Sequence, residues 1–224
     1  DEFGLPKGAG GVFVQGGTIG NLSALVAARE SARDKLAGSA SSSGRWVIVC
    51  SAEAHSSIAA AARVMDVDVA TAAVDADGVL RAESVREQLQ DHGDRVIAVV
   101  VTTGTTNFGI VDDVAGIAAL KQEFDFWLHV DGAYGLAAML SPLTREQFAG
   151  VEAADSLVVD PHKWLFAPYD ACALLYRDPE AGRRAHTQHA EYLDALTEAT
   201  EWSPSDYAAQ PTRRPRGLPL WFSL

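Results

Sequence analysis

Three short stretches carry side chains whose types and spacing could do chemistry. Gly16, Gly17 and Thr18 lie between a short apolar run, Gly11–Gln15, and a helical pattern. Backbone N–H groups at a helix N-terminus favour an anion, glycine lets it approach closely, and the Thr18 hydroxyl adds a donor. The same turn with a capping threonine also serves as an ordinary helix start. In WLHVDGAY, Trp127–Tyr134, Asp131 ends an apolar run and is followed by Gly132 and Ala133. A carboxylate there is partly desolvated and needs a cationic or protonated partner, unless it simply caps the next helix. In ADSLVVDPHKWL, Ala154–Leu165, the apolar run Leu157–Val159 delivers Asp160, Pro161, His162 and Lys163 into a turn before Trp164. A lysine flanked by apolar and aromatic residues gives up its proton more easily, as a Schiff-base amine must. The alternative is a lysine that snorkels to solvent.

The surrounding pattern is what would position these groups. Apolar runs at Gly11–Gln15, Trp46–Cys50, Asp66–Val74, Val96–Val101, Phe126–Val130, Ser156–Val159 and Ala171–Tyr176 read as strands. Helical spacing marks Asn21–Leu36, Ser56–Val64, Ala82–Gln90 and Val114–Glu123. Strands that alternate with helices and carry no polar alternation predict an α/β fold, a mostly parallel sheet covered by helices. In such folds chemistry sits just beyond strand ends, where the unusual residues here gather. Gly38–Gly44 (GSASSSG) reads as a flexible loop, and Arg183–Pro211 as a polar, mobile segment.

Composition narrows the classes. The 224 residues carry 18 Lys and Arg against 30 Asp and Glu, a net charge of −12, with no basic run. Such a surface repels a phosphate backbone, which argues against a nucleic-acid partner. No apolar run reaches the length of a membrane span and no signal peptide opens the chain, so a soluble, cytoplasmic protein is expected. Cys50 and Cys172, each in an apolar stretch, read as buried reduced thiols. No metal site is expected. The chain opens at Asp1 in a Gly-rich loop and stops in the apolar LPLWFSL, which reads as a fragment of a longer protein.

Together, GGT, HVDGAY and DPHKW make the chain resemble the pyridoxal-phosphate-dependent group II amino-acid decarboxylases, from about Gly11 to Leu224. The most specific piece is the pair Asp131 and Lys163, 32 positions apart. The resemblance implies the large domain of the fold type I PLP-dependent transferases, with helices on both faces of the central sheet. It divides the chain into a cofactor-binding domain over 1–180, a mobile catalytic loop region over 181–210, and the start of a C-terminal part over 211–224. It also implies a homodimer, with the family's N-terminal segment and small C-terminal domain absent here.

Residue roles follow from the resemblance. Lys163 carries the cofactor as a Schiff base, and Asp131 pairs with its pyridine nitrogen, keeping the ring an electron sink. His55, in AEAHSS, stacks on the ring, and Ala133 touches its other face. Gly16, Gly17, Thr18 and His162 surround the phosphate, and Thr106 lines the pocket. Read without the resemblance, His55 is a helix-start or core histidine and Thr106 a turn residue. His129 reads as a supporting core residue. Tyr192 corresponds to a loop tyrosine that closes over the site and protonates the substrate carbon, or is merely exposed. Asp160 stands where several members have Asn. A carboxylate beside a phosphate is unfavourable unless it points away, so it falls outside the expected cofactor set.

The implied reaction is decarboxylation of an L-amino acid, with an aromatic side chain favoured, to the amine and carbon dioxide. Trp127 and Phe108 are candidates for the apolar pocket. The rival readings are aminotransfer or aldehyde synthesis on the same fold, and a non-catalytic fragment that retains it.

Overall fold

The computed structural model describes residues 2–36, 44–187 and 203–223. The strands are β1 (Gly10–Val14), β2 (Val47–Ser51), β3 (Asp68–Ala72), β4 (Val96–Thr102), β5 (Trp127–Asp131), β6 (Ser156–Val159) and β7 (Cys172–Tyr176). The α-helices are α1 (Gly17–Leu36), α2 (Ser56–Met65), α3 (Ala82–His92), α4 (Val114–Ala119), α5 (Pro179–His186) and α6 (Gly217–Trp221). One sheet holds all seven strands in the order β1-β7-β6-β5-β4-β2-β3. From β3 through β6 the pairing is parallel, and β7 runs antiparallel to both β6 and β1.

Burial explains why the strands read as continuous apolar runs. Every residue of β4 is buried, because helices cover both faces of the sheet. Val99 and Val101 point into one core with Leu80, Val85, Leu89 and Ile117 from the α3 and α4 side. Ala98 and Val100 point into the other, with Leu25 of α1 and Ile58 of α2. Helix α1 lies close on the sheet at Gly20, where a Cβ would come within 2.7 Å of Val158 Cγ1 and 3.1 Å of Cys172 Sγ. Both cysteines are free and buried, and burial pushes the Cys50 thiol up to about 11. Among the described residues no helix is long and apolar enough to cross a membrane.

Three elements depart from the sequence expectation. Helix α1 starts at Gly17 and not Asn21, because the Gly16 carbonyl accepts the N–H groups of Ile19 and Gly20. Helix α4 stops at Ala119 and tightens into a 3-10 turn over Leu120–Gln122. Residues Arg183–His186, expected in a mobile segment, belong to α5, which crosses residue 180. Asp178 caps that helix through Glu180 N–H at 3.1 Å, and buried His186 donates to the Ser23 carbonyl at 3.0 Å. An N-cap and the burial of Ala181, Gly182 and His186 are enough to override the polar composition.

Candidate active site

The C-terminal ends of β1, β2, β4, β5 and β6 meet at one edge of the sheet and enclose a cavity of about 300 Å³. Every site residue expected from the sequence and described in the structure lines it. Gly16, Gly17 and Thr18 come from the turn into α1, His55 from the turn into α2, and Thr106 from the loop after β4. Asp131 and Ala133 follow β5, and His162 and Lys163 follow β6. Tyr192 lies outside the described residues. Trp127 and Phe108 do not line the cavity: the Trp127 indole donates to Ser156 Oγ at 2.8 Å, and Phe108 is exposed.

Asp131 is buried and accepts twice. Its Oδ2 takes a hydrogen bond from Asn21 Nδ2 at 2.8 Å, and its Oδ1 one from the Ala133 N–H at 3.2 Å. No Lys or Arg among the described residues forms an ion pair with it, so the cavity meets an acceptor without a cationic partner. His55 is a helix-start residue that also lines the cavity. Its Nδ1 caps α2 through the Ser57 N–H at 3.2 Å and meets Ser57 Oγ at 2.8 Å, while the ring lines the cavity. His162 Nδ1 lies 2.5 Å from the Ala171 carbonyl oxygen and 3.0 Å from its N–H nitrogen, one or the other being its partner according to the tautomer, and the ring lies against that of Tyr169. Thr106 is exposed in a turn held by Thr105, whose Oγ1 accepts from the Ile110 N–H at 3.1 Å.

Two expectations are corrected. The apolar neighbours of Lys163 do not enclose its amine: the side chain is 36 % exposed, and Nζ lies 3.0 Å from Asp160 Oδ2. Trp164 instead packs edge-on against Tyr134, with ring centroids 5.4 Å apart. Asp160 does not point away. It is buried, accepts from the Gly17 N–H at 3.3 Å, and comes within 3.7 Å of His162 Nε2. The helix N-terminus and the lysine together draw a carboxylate inward, and the Oδ1 atom is left buried without a protein partner among the described residues. Glycine is required beside it, because a Cβ at Gly17 would lie 2.9 Å from Ala133 Cβ and 3.3 Å from Asp160 Oδ2.

Sequence reasoning missed Asn21. Its signal was a buried amide on the face of α1 that carries Leu25 and Ala28, but only the fold gives it partners. His129, expected as core, is fully buried, with Nδ1 2.8 Å from Ser156 Oγ and Nε2 2.9 Å from Asn21 Oδ1. Burial pushes its pKa from 6.5 down to about 4. The folded ring stays neutral where the unfolded chain would take up a proton. Stability is therefore complete above pH 6.5 and is lost as pH falls through 6.5 towards 4. Urea unfolding midpoints should fall more steeply across that window for the wild type than for His129→Gln, and parallel curves would contradict this assignment.

The residues present suit a flat, anionic, aldehyde-bearing cofactor with a basic ring nitrogen. Asp131 offers an acceptor for a protonated ring nitrogen, Lys163 an amine, and the Gly16–Gly17 turn room and N–H groups for an anion, with Asp160 and Glu53 as opposing charges. The comparisons agree. A family model described as the pyridoxal-dependent decarboxylase conserved domain matches residues 1–224. The aromatic-L-amino-acid decarboxylase of Bacillus atrophaeus is 32% identical over 99% of this chain and 47% of its own length. The L-2,4-diaminobutyrate decarboxylase of Rhizobium meliloti is 34% identical over 98% of this chain and 44% of its own length. The structure of Oryza sativa TDC with PLP and tryptamine superposes with a TM-score of 0.90 at 30% identity, covering 99% of this chain and 49% of that one. The chain thus spans about half the length of the relatives it matches.

Proposed function

We propose that this chain, which belongs to the pyridoxal-dependent decarboxylase family, forms the cofactor-binding part of an enzyme that decarboxylates an aromatic L-amino acid. The observation that carries the reading is the convergence of Asp131, His55 and Lys163 on one cavity at the strand ends. Two observations support an uncharged aromatic side chain on the substrate. Lys163 is the only Lys or Arg lining the cavity among the described residues, so a side-chain carboxylate finds no further cation. Tyr134 and Tyr169 line it as well, and offer apolar ring surface.

Pyridoxal phosphate, when bound, supplies a conjugated ring that takes up the electron pair left as the Cα–carboxylate bond breaks. Lys163 holds the cofactor through its amine and is a source of the proton returned to Cα. Asp131, buried and already committed as an acceptor, holds a proton at the ring nitrogen. His55 and Ala133 confine the ring between them, and Gly16, Gly17, Thr18 and His162 surround the phosphate. Thr106 lies at the mouth of the pocket. Tyr192 is the second candidate for the proton to Cα.

The reading includes a homodimer working in the cytoplasm. The exposed Phe108, Leu143, Phe166 and Phe222 offer apolar surface for the remainder of the protein or a second copy to cover, and the unpaired thiols suit a reducing compartment. Residues 1–180 form the cofactor domain, 181–210 the closing region and 211–224 the opening of the C-terminal part, with the first boundary inside α5.

The test is release of carbon dioxide from a panel of L-amino acids by the intact protein supplied with pyridoxal phosphate. The expected result is stoichiometric amine, fastest from aromatic substrates. Aldehyde and ammonia in place of amine, or turnover confined to acidic or diamino substrates, would overturn the respective half of the proposal.

A further inference from the structure

The geometry points to Asn21 as a positioning residue that ties the Asp131 carboxylate and the His55 ring into one hydrogen-bonded unit and thereby sets which atom of His55 bears its proton. The inference rests on the roles given above to Asp131 and His55. Asn21 is 1% exposed, on α1 behind the cavity wall. One hydrogen of its amide goes to Asp131 Oδ2 at 2.8 Å and the other to Ser57 Oγ at 2.9 Å, while Oδ1 meets His129 Nε2 at 2.9 Å.

The directions of these bonds follow from what each group can do. A carboxylate only accepts, so the amide nitrogen must face Asp131 and the amide oxygen must face His129. His129 therefore carries its proton on Nε2, and its Nδ1 accepts from the Ser156 hydroxyl at 2.8 Å, whose oxygen in turn accepts from the Trp127 indole. A neutral, singly protonated ring is also what complete burial favours. On the other branch, the Ser57 hydroxyl accepts from Asn21 and has its own hydrogen left for His55 Nδ1 at 2.8 Å. The Ser57 backbone N–H points at the same nitrogen. With Nδ1 an acceptor from two directions, the proton of neutral His55 resides on Nε2, and the ring offers the cavity a donor.

The arrangement links four elements: α1 through Asn21, the α2 N-terminus through His55 and Ser57, β5 through His129 and Asp131, and β6 through Ser156. Asn21 is the one residue that touches both branches. Asn21, Ser57, His129, Asp131 and Ser156 are all buried and hydrogen-bonded to one another, which makes that part rigid, and removal of its central amide takes a partner from Asp131, Ser57 and His129 at once. Replacing the amide by a carboxylate would set two acceptors against each other.

The experiment compares wild type, Asn21→Asp, Asn21→Ala and Ser57→Ala in the intact protein, with three readouts: histidine ¹⁵N shifts without cofactor, pyridoxal-phosphate affinity, and the visible band of the bound cofactor. The wild type should show both His55 and His129 protonated at Nε2. In Ser57→Ala, where the backbone N–H is the one donor left to Nδ1, the Nε2-protonated form of His55 should lose part of its population while cofactor affinity stays near wild type. Asn21→Asp should weaken cofactor binding about tenfold or more, the scale of losing a hydrogen bond to a charged group, and should displace the visible band. Wild-type affinity and an unmoved band in both Asn21 variants would overturn the proposal. So would lowered melting temperature with unchanged His55 tautomer, band and affinity, since that describes a merely structural asparagine. A wild type that takes up no cofactor would instead bring down the functional reading itself, a failure distinct from a wild type that binds and an Asn21→Asp variant that binds equally well.

Discussion

Lys163→Ala should abolish the absorption band of the bound cofactor and lower turnover by on the order of 10³-fold or more, since it removes both the covalent attachment and a proton donor. Lys163 reaches the cavity because β6 ends at Val159 and the chain turns at once, with the Lys163 N–H bonded to the Asp160 carbonyl at 2.9 Å. The same turn brings Nζ onto Asp160. The variant therefore also strips a buried carboxylate of its cation, and cofactor affinity should be measured beside the rate. Methylamine should restore part of the activity to Lys163→Ala, because a small amine can occupy the vacated space and return the proton. A band that persists in the variant, or borohydride labelling of a different lysine in the wild type, would remove Lys163 from the role.

Asp131→Asn should cut turnover by about a hundredfold or more, as expected when a preorganised charge next to the reacting system is neutralised. The side chain keeps its shape, so cofactor should still bind, more weakly and with a shifted band. Asp131 occupies the last position of β5, paired in register with Thr102 of β4 and Val158 of β6. Strand neighbours on both sides hold its backbone, and the Asn21 and Ala133 donors hold both oxygens. The charge is therefore fixed in place before any ligand arrives. Turnover within twofold of wild type would mean that Asp131 serves only as the local cap formed by its bond to Ala133.

Comparison of the two aspartates separates what can be read locally from what cannot. Asp131 was legible because a carboxylate at the end of an apolar strand, followed by small residues, leaves few physical alternatives. Asp160 has a similar setting, yet its direction depends on a helix N-terminus 143 positions away in sequence. The enclosure expected for Lys163 failed for a related reason. Trp164 and Leu165 are apolar in sequence, but a turn sends successive side chains to different sides, and Trp164 settles on Tyr134.

By itself the sequence determined the strands, the covering helices and the chemistry-bearing turns. Short apolar runs bounded by turn residues suit strands of a covered sheet, and the positions just beyond such strands are where Gly16, Asp131 and Lys163 fall. The tertiary structure alone decided the order of the strands, and with it the partners of Asn21. Three bonds join that residue to positions 57, 129 and 131, and they exist because α1 crosses the sheet over β5 and β6 with Gly20 seated on Val158. Hydrogen bonds between buried groups are strong only at defined distance and direction. No pattern along the chain encodes those when the partners are brought together by the packing of separate elements.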